Sequence, residues 1–121
     1  MLVEYLRGSP QIRIWLTDHR DDSCDIPGVV AMELVIGCRN SAELKEMRQF
    51  LGSCKLVWPE AAEFAQAHRL LLSLRLSSGI GIPDCLIAAM ALKRQTRLYT
   101  FNLKHFKGVQ GLDVEQPYLR A

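Results

Sequence analysis

From residue 24 onward, short apolar runs of strand length alternate with longer segments of helical period, and that alternation limits the chain to few architectures. Residues 24–26, 55–58, 97–100 and 112–115 read as strands. Residues 29–39, 41–51, 59–75 and 83–94 read as helices, with one further helical turn at 102–106. Helices set between short strands argue for α/β layers around a parallel sheet, because parallel neighbours require a crossover that a helix supplies. Gly52 closes one helix, and Pro59 opens the next with Glu60 and Glu63 in its first turns, where the helix dipole favours carboxylates. Residues 77–81 read as a loop. Ahead of this block, residues 2–6 and 11–20 read as two short helices separated by Gly8-Ser9-Pro10, with Ile12, Trp15 and Leu16 on one face of the second. Met1 falls directly into the helical pattern without a capping residue before it. With about four short strands visible, the sheet is expected to lack its central strand.

A length of 121 residues suits a single domain, 1–121, and no repeat, low-complexity tract or linker divides it. The formal charge of +2 excludes a strongly basic histone-like binder, although a local basic patch is compatible with it. Cys24, Cys38, Cys54 and Cys85 are too scattered for a zinc or thioredoxin-type motif and read as reduced thiols of a cytoplasmic protein. The longest apolar run, 29–36, is broken by Glu33 and falls far short of a membrane span.

Three residues stand out chemically. Glu33 lies among Val30, Met32, Leu34, Val35 and Ile36, a helix that looks buried on nearly all sides. A carboxylate there needs a metal, a basic partner or a distant Lys or Arg at the rim of the core. Asp84 opens the helix at Gly81-Ile82-Pro83-Asp84, where it either serves the free N–H groups of the first turn or sits at a strand-to-helix junction beside a site. Asn102 follows the 97–100 strand and either caps the next helical turn or offers an amide oxygen near the same strand ends, with Thr100 able to bond a nearby carboxylate or water. Asp18, Asp21, Asp22 and Asp25 read as a solvent-facing loop, while His19, His68 and His105 show no partner at ligand spacing. Serine-nucleophile and phosphate-loop motifs are absent.

Three segments, in order, resemble PIN domains, in particular the toxin ribonucleases of VapC type. VVAMELVIGC resembles their glutamate-bearing helix, GIPDCLIAAMAL their Pro-Asp helix, and LYTFNLKHFKGVQGLDVEQPY their closing segment. LVEYLRGSP also matches the first helix of the family. The resemblance implies a three-layer α/β fold with a short parallel sheet flanked by helices. It implies a metal-dependent endoribonuclease of a toxin–antitoxin pair, with Glu33, Asp84 and Asn102 at a Mg²⁺ or Mn²⁺ site, where a metal-activated water cleaves RNA. It further implies a homodimer and an antitoxin of VapB type, lying in a groove formed by residues 2–15 and 29–51, with an antitoxin Arg reaching the acids. Arg7, Arg13, Arg39 and Lys104 are candidates to steer RNA phosphates. In the family a strand ending in an aspartate precedes the first helix; here both would fall before Met1, so the chain is expected to lack them, and nuclease activity is expected only with that aspartate restored. Two other readings compete. One is a catalytically impaired PIN-like module that binds an antitoxin or itself; the other is a small α/β binding protein in which Glu33 and Asp84 are purely structural.

Overall fold

The computed structural model describes residues 25–100 and 103–116, so the two helices expected at residues 2–6 and 11–20, Cys24 and Asn102 lie outside the described residues. The order of elements is β1 (Asp25–Pro27), α1 (Gly28–Ile36), α2 (Ser41–Gly52), β2 (Lys55–Val57), α3 (Ala61–Ser78), α4 (Ile82–Arg94), β3 (Leu98–Tyr99), α5 (Leu103–Phe106) and β4 (Val114–Glu115). The mixed α/β class read from the sequence holds. Among the described residues the strands form two parallel pairs not hydrogen-bonded to each other. In one, Ile26 lies opposite Leu56; in the other, Leu98 lies opposite Val114.

Local chemistry sets the element ends. Asn40 caps α2 by accepting from the Glu43 amide at 2.9 Å. The helix expected to open at Pro59 begins at Ala61 instead. Glu60 is its N-cap, and the Glu63 side chain accepts from the Glu60 N–H at 2.8 Å, closing a capping box. That helix also runs past the predicted end at 75, because Ser77 and Ser78 hydroxyls bond back to the Leu74 carbonyl instead of starting a loop. It stops at Gly79, whose φ of 72° is left-handed and whose N–H donates to the Arg75 carbonyl at 2.9 Å.

The core is built around α4. Seven consecutive residues, Cys85 to Ala91, are buried, so this helix has no solvent face over two turns. Ile87, Ala88, Met90 and Ala91 join Ile26, Val30, Val57, Leu98 and Phe106 in a cluster that draws on both strand pairs. On its other side, Cys85, Leu86 and Ala89 meet Ala67 of α3 and Ile80. The start of α1 is held by a close approach: a Cβ on Gly28 would fall within the Trp58 ring. Glycine alone lets that ring lie over the helix start.

Candidate metal centre

Glu33 sits near the middle of α1, a helix lacking an acidic first turn and a side-chain N-cap. The expectation of burial on nearly all sides is corrected here. Gly28, Val30 and Ala31 are buried, whereas Glu33 is exposed along with Met32, Val35 and Ile36. The buried residues fall within the first turn, where α1 meets the core; the C-terminal half has no packing partner among the described residues on that face. Apolar composition alone does not reveal which faces find neighbours.

Asp84 lies in the first turn of α4, immediately before the buried run. Its expected place in the first turn, where the helix dipole favours a carboxylate, holds, whereas the expected strand-to-helix junction does not. α4 follows α3 through Gly79–Gly81 rather than a strand, so there is no strand-to-helix junction at this point. Nor does the carboxylate cap the helix, whose N-cap is Gly81 with no side-chain hydrogen bond. It is instead hydrogen-bonded to another side chain: His105 Nδ1 lies 3.0 Å from Asp84 Oδ2.

That contact overturns the reading of His105 as partnerless. The two residues are 21 apart in sequence, too far for spacing to signal their meeting. Phe106, fully buried beside His105, anchors α5 in the same cluster that takes up α4. A histidine one position before a core aromatic, after the third strand, was the only signal available. A carboxylate can only accept, so Nδ1 carries the hydrogen and Asp84 fixes the tautomer.

Glu33 and Asp84, 51 residues apart in the sequence, lie near enough for the charge of one to act on the other. The Glu33 carboxyl is held above its ordinary pKa, first by partial desolvation and then by the charge of Asp84. No Lys or Arg among the described residues pairs with either acid. Arg39, a candidate for phosphates, is engaged with Glu43 through Nε and Nη2, although it stays largely exposed. Asp25 belongs to β1 rather than to a solvent-facing loop, and its Oδ1 is buried with no hydrogen-bond partner among the described residues. Thr100 is fully buried, its amide donating to the Glu115 carbonyl at 3.0 Å.

The donor chemistry of the acid pair fits a hard divalent cation, which is often held by one or two carboxylates together with waters and substrate phosphate. Two carboxylates near each other, with no Lys or Arg among the described residues paired to either, are what such an ion relieves. Among the described residues no group of three or more His, Cys, Asp or Glu side chains is arranged as a metal cage, and Asn102 lies outside them.

Comparison with known proteins bears on the family and the fold. The PIN domain family model matches residues 1–112. Ribonuclease VapC10 of Mycobacterium tuberculosis is 32% identical over 107 residues, covering 88% of this chain and 80% of that protein. A DNA-bound VapBC from Salmonella typhimurium superposes with a TM-score of 0.74 at 20% identity, over 93% of this chain and 88% of that one. VapBC2 from Rickettsia felis, bound to a DNA fragment from its promoter, gives 0.71 at 24% identity, over 91% and 87%. At those identities the solved structures speak to the fold alone, while the match over 1–112 and the mycobacterial relative speak to descent. The chain belongs to the PIN-domain family, among its VapC-type members.

Proposed function

We propose that this chain is the toxin of a toxin–antitoxin pair, a metal-dependent endoribonuclease in which Glu33, Asp84 and Asn102 serve a Mg²⁺ or Mn²⁺ site. The observation that supports this reading is that Glu33 and Asp84 lie near enough to interact, the Glu33 carboxyl being raised first by partial desolvation and then by the charge of Asp84, with no Lys or Arg among the described residues paired to either. The mycobacterial relative's name, a ribonuclease, supplies the reaction class. When bound, the cation supplies charge neutralisation at the phosphate and a more acidic water. Glu33 and Asp84 supply the oxygen donors, Glu33 from an exposed position that RNA can reach and Asp84 from one fixed by the core. Asn102 completes the set as an amide oxygen.

The test is cleavage of single-stranded RNA with Mn²⁺, with Mg²⁺ and with EDTA. Expected of the chain extended at its N-terminus by a strand ending in Asp is metal-dependent cleavage, lost in both Glu33→Gln and Asp84→Asn. Cleavage that persists in both variants would sink the reading. A folded wild type that cleaves nothing, even when extended at its N-terminus by a strand ending in Asp, would favour the impaired module instead. That alternative draws on the described residues contributing two carboxylates rather than three.

An antitoxin of VapB type and a second copy of the chain are the proposed partners; the similar VapBC structures support the first of these. Met32, Val35, Ile36 and Leu44 form an exposed apolar face across α1 and α2, the described half of the expected groove. An antitoxin Arg would satisfy the acid pair bidentately. A cytoplasmic setting suits the free thiols of Cys38, Cys54 and Cys85. Among the described residues no helix is long and apolar enough to cross a membrane.

A further inference from the structure

We propose that His105 is the positioning residue of the centre: through Nδ1–H it fixes the rotamer of Asp84, leaving Oδ1 as the oxygen offered to a cation. The proposal rests on the metal-site reading above and adds to it a residue outside the acid set.

Both members of the pair are held by the core rather than by loops. Asp84 directly precedes the seven buried residues of α4, and His105 directly precedes Phe106, which is 1% exposed. The backbones on each side are therefore fixed, and the 3.0 Å contact between Nδ1 and Oδ2 sets the remaining side-chain torsions. The Asp84 carboxylate has no other side-chain hydrogen bond among the described residues and is not the N-cap of its helix. Without His105 no described side chain would hold the carboxylate in its partly buried position. Hydrogen bonds of this kind to ligating groups are a general means of ordering a metal site, and losing one typically weakens metal binding roughly 10–100-fold.

The Nε2 of His105 has no hydrogen-bond partner among the described residues, and the side chain is 44% exposed. The ring thus spans from the carboxylate to solvent, with only its Nδ1 edge committed. That asymmetry gives a test by shape. An asparagine at 105 can place an amide N–H near the position of Nδ1, whereas a glutamine places it near that of Nε2.

The experiment is Mn²⁺ titration of the purified chain, read by the loss of free-ion electron paramagnetic resonance signal, with circular dichroism melts to establish folding. His105→Ala is expected to bind Mn²⁺ at least about tenfold more weakly than the wild type, with His105→Asn recovering most of the loss and His105→Gln little of it. If His105→Ala does not fold, the Asn and Gln variants carry the same contrast, and equal affinity in the two overturns the proposal. Wild-type affinity in His105→Ala, with binding abolished in Asp84→Asn, would remove the positioning role and leave the metal site standing. Wild-type protein showing no Asp84-dependent Mn²⁺ binding would overturn both.

Discussion

Glu33 suffers two penalties at once, partial loss of water and the proximity of Asp84, and both act only on its ionised form. Its folded pKa lies above the unfolded value of about 4.3, so the protonated form is favoured in the folded state. The associated stability is fully present below the unfolded pKa and is lost as pH rises through the folded one. At neutral pH in EDTA, Glu33→Gln should therefore melt slightly above the wild type, by less than about 1 kcal/mol because the side chain is exposed and screened. The gap should close as pH falls towards 4, and Mn²⁺ should raise the melting temperature of the wild type but not of the variant. Differential scanning fluorimetry across pH measures this, and a Glu33→Gln that melts below the wild type at pH 7 in EDTA counts against the acid pair.

The helix ends are where individual elements depend on single residues. Gly79 ends α3 with a φ of 72°, and Arg75 ties down the same turn by donating to the Gly79 carbonyl at 2.7 Å and the Ile80 carbonyl at 3.1 Å. Nothing fills the space where its Cβ would go, so the cost of Gly79→Ala is conformational alone. It should lower stability by about 1–2 kcal/mol in urea titrations, and a neutral effect would mean that α3 frays before this point. These ends also show what the sequence could tell. The alternation of elements was legible because periods of 3.6 and 2 are local properties of the chain. The Glu60–Glu63 box was visible as two acids but not as a cap, since hydrogen-bond closure depends on backbone angles. α1 was misread because Met32, Val35 and Ile36 are as apolar as core residues, while burial is decided by neighbours. Glu33 and Asp84 could be named as candidates from their settings; the meeting of His105 with Asp84 is a tertiary event, and nothing in either setting announced it.

For the whole molecule, the apolar residues left outside are as informative as the core. Ile36 is 81% exposed at the C-terminal end of α1, the helix that carries Glu33. Ile36→Glu should leave stability within about 0.5 kcal/mol of the wild type, as expected of an exposed site away from packing. It should also reduce self-association measured by sedimentation equilibrium. A monomeric wild type at every concentration, or a variant that associates unchanged, would remove this face from the homodimer and leave it to the antitoxin.

The all-round burial of α4 has a consequence for amide hydrogen exchange. With Cys85 to Ala91 enclosed on every side, their N–H groups can reach deuterated solvent only when the domain opens as a whole. α2 has no buried residue and should exchange through local fraying. Since a ligand selective for the folded state slows only global opening, saturating Mn²⁺ should slow exchange along all of α4 by one common factor and leave α2 untouched. Asp84 stands at the head of that helix, so an ion held there would be sensed equally at Ala91, two turns away.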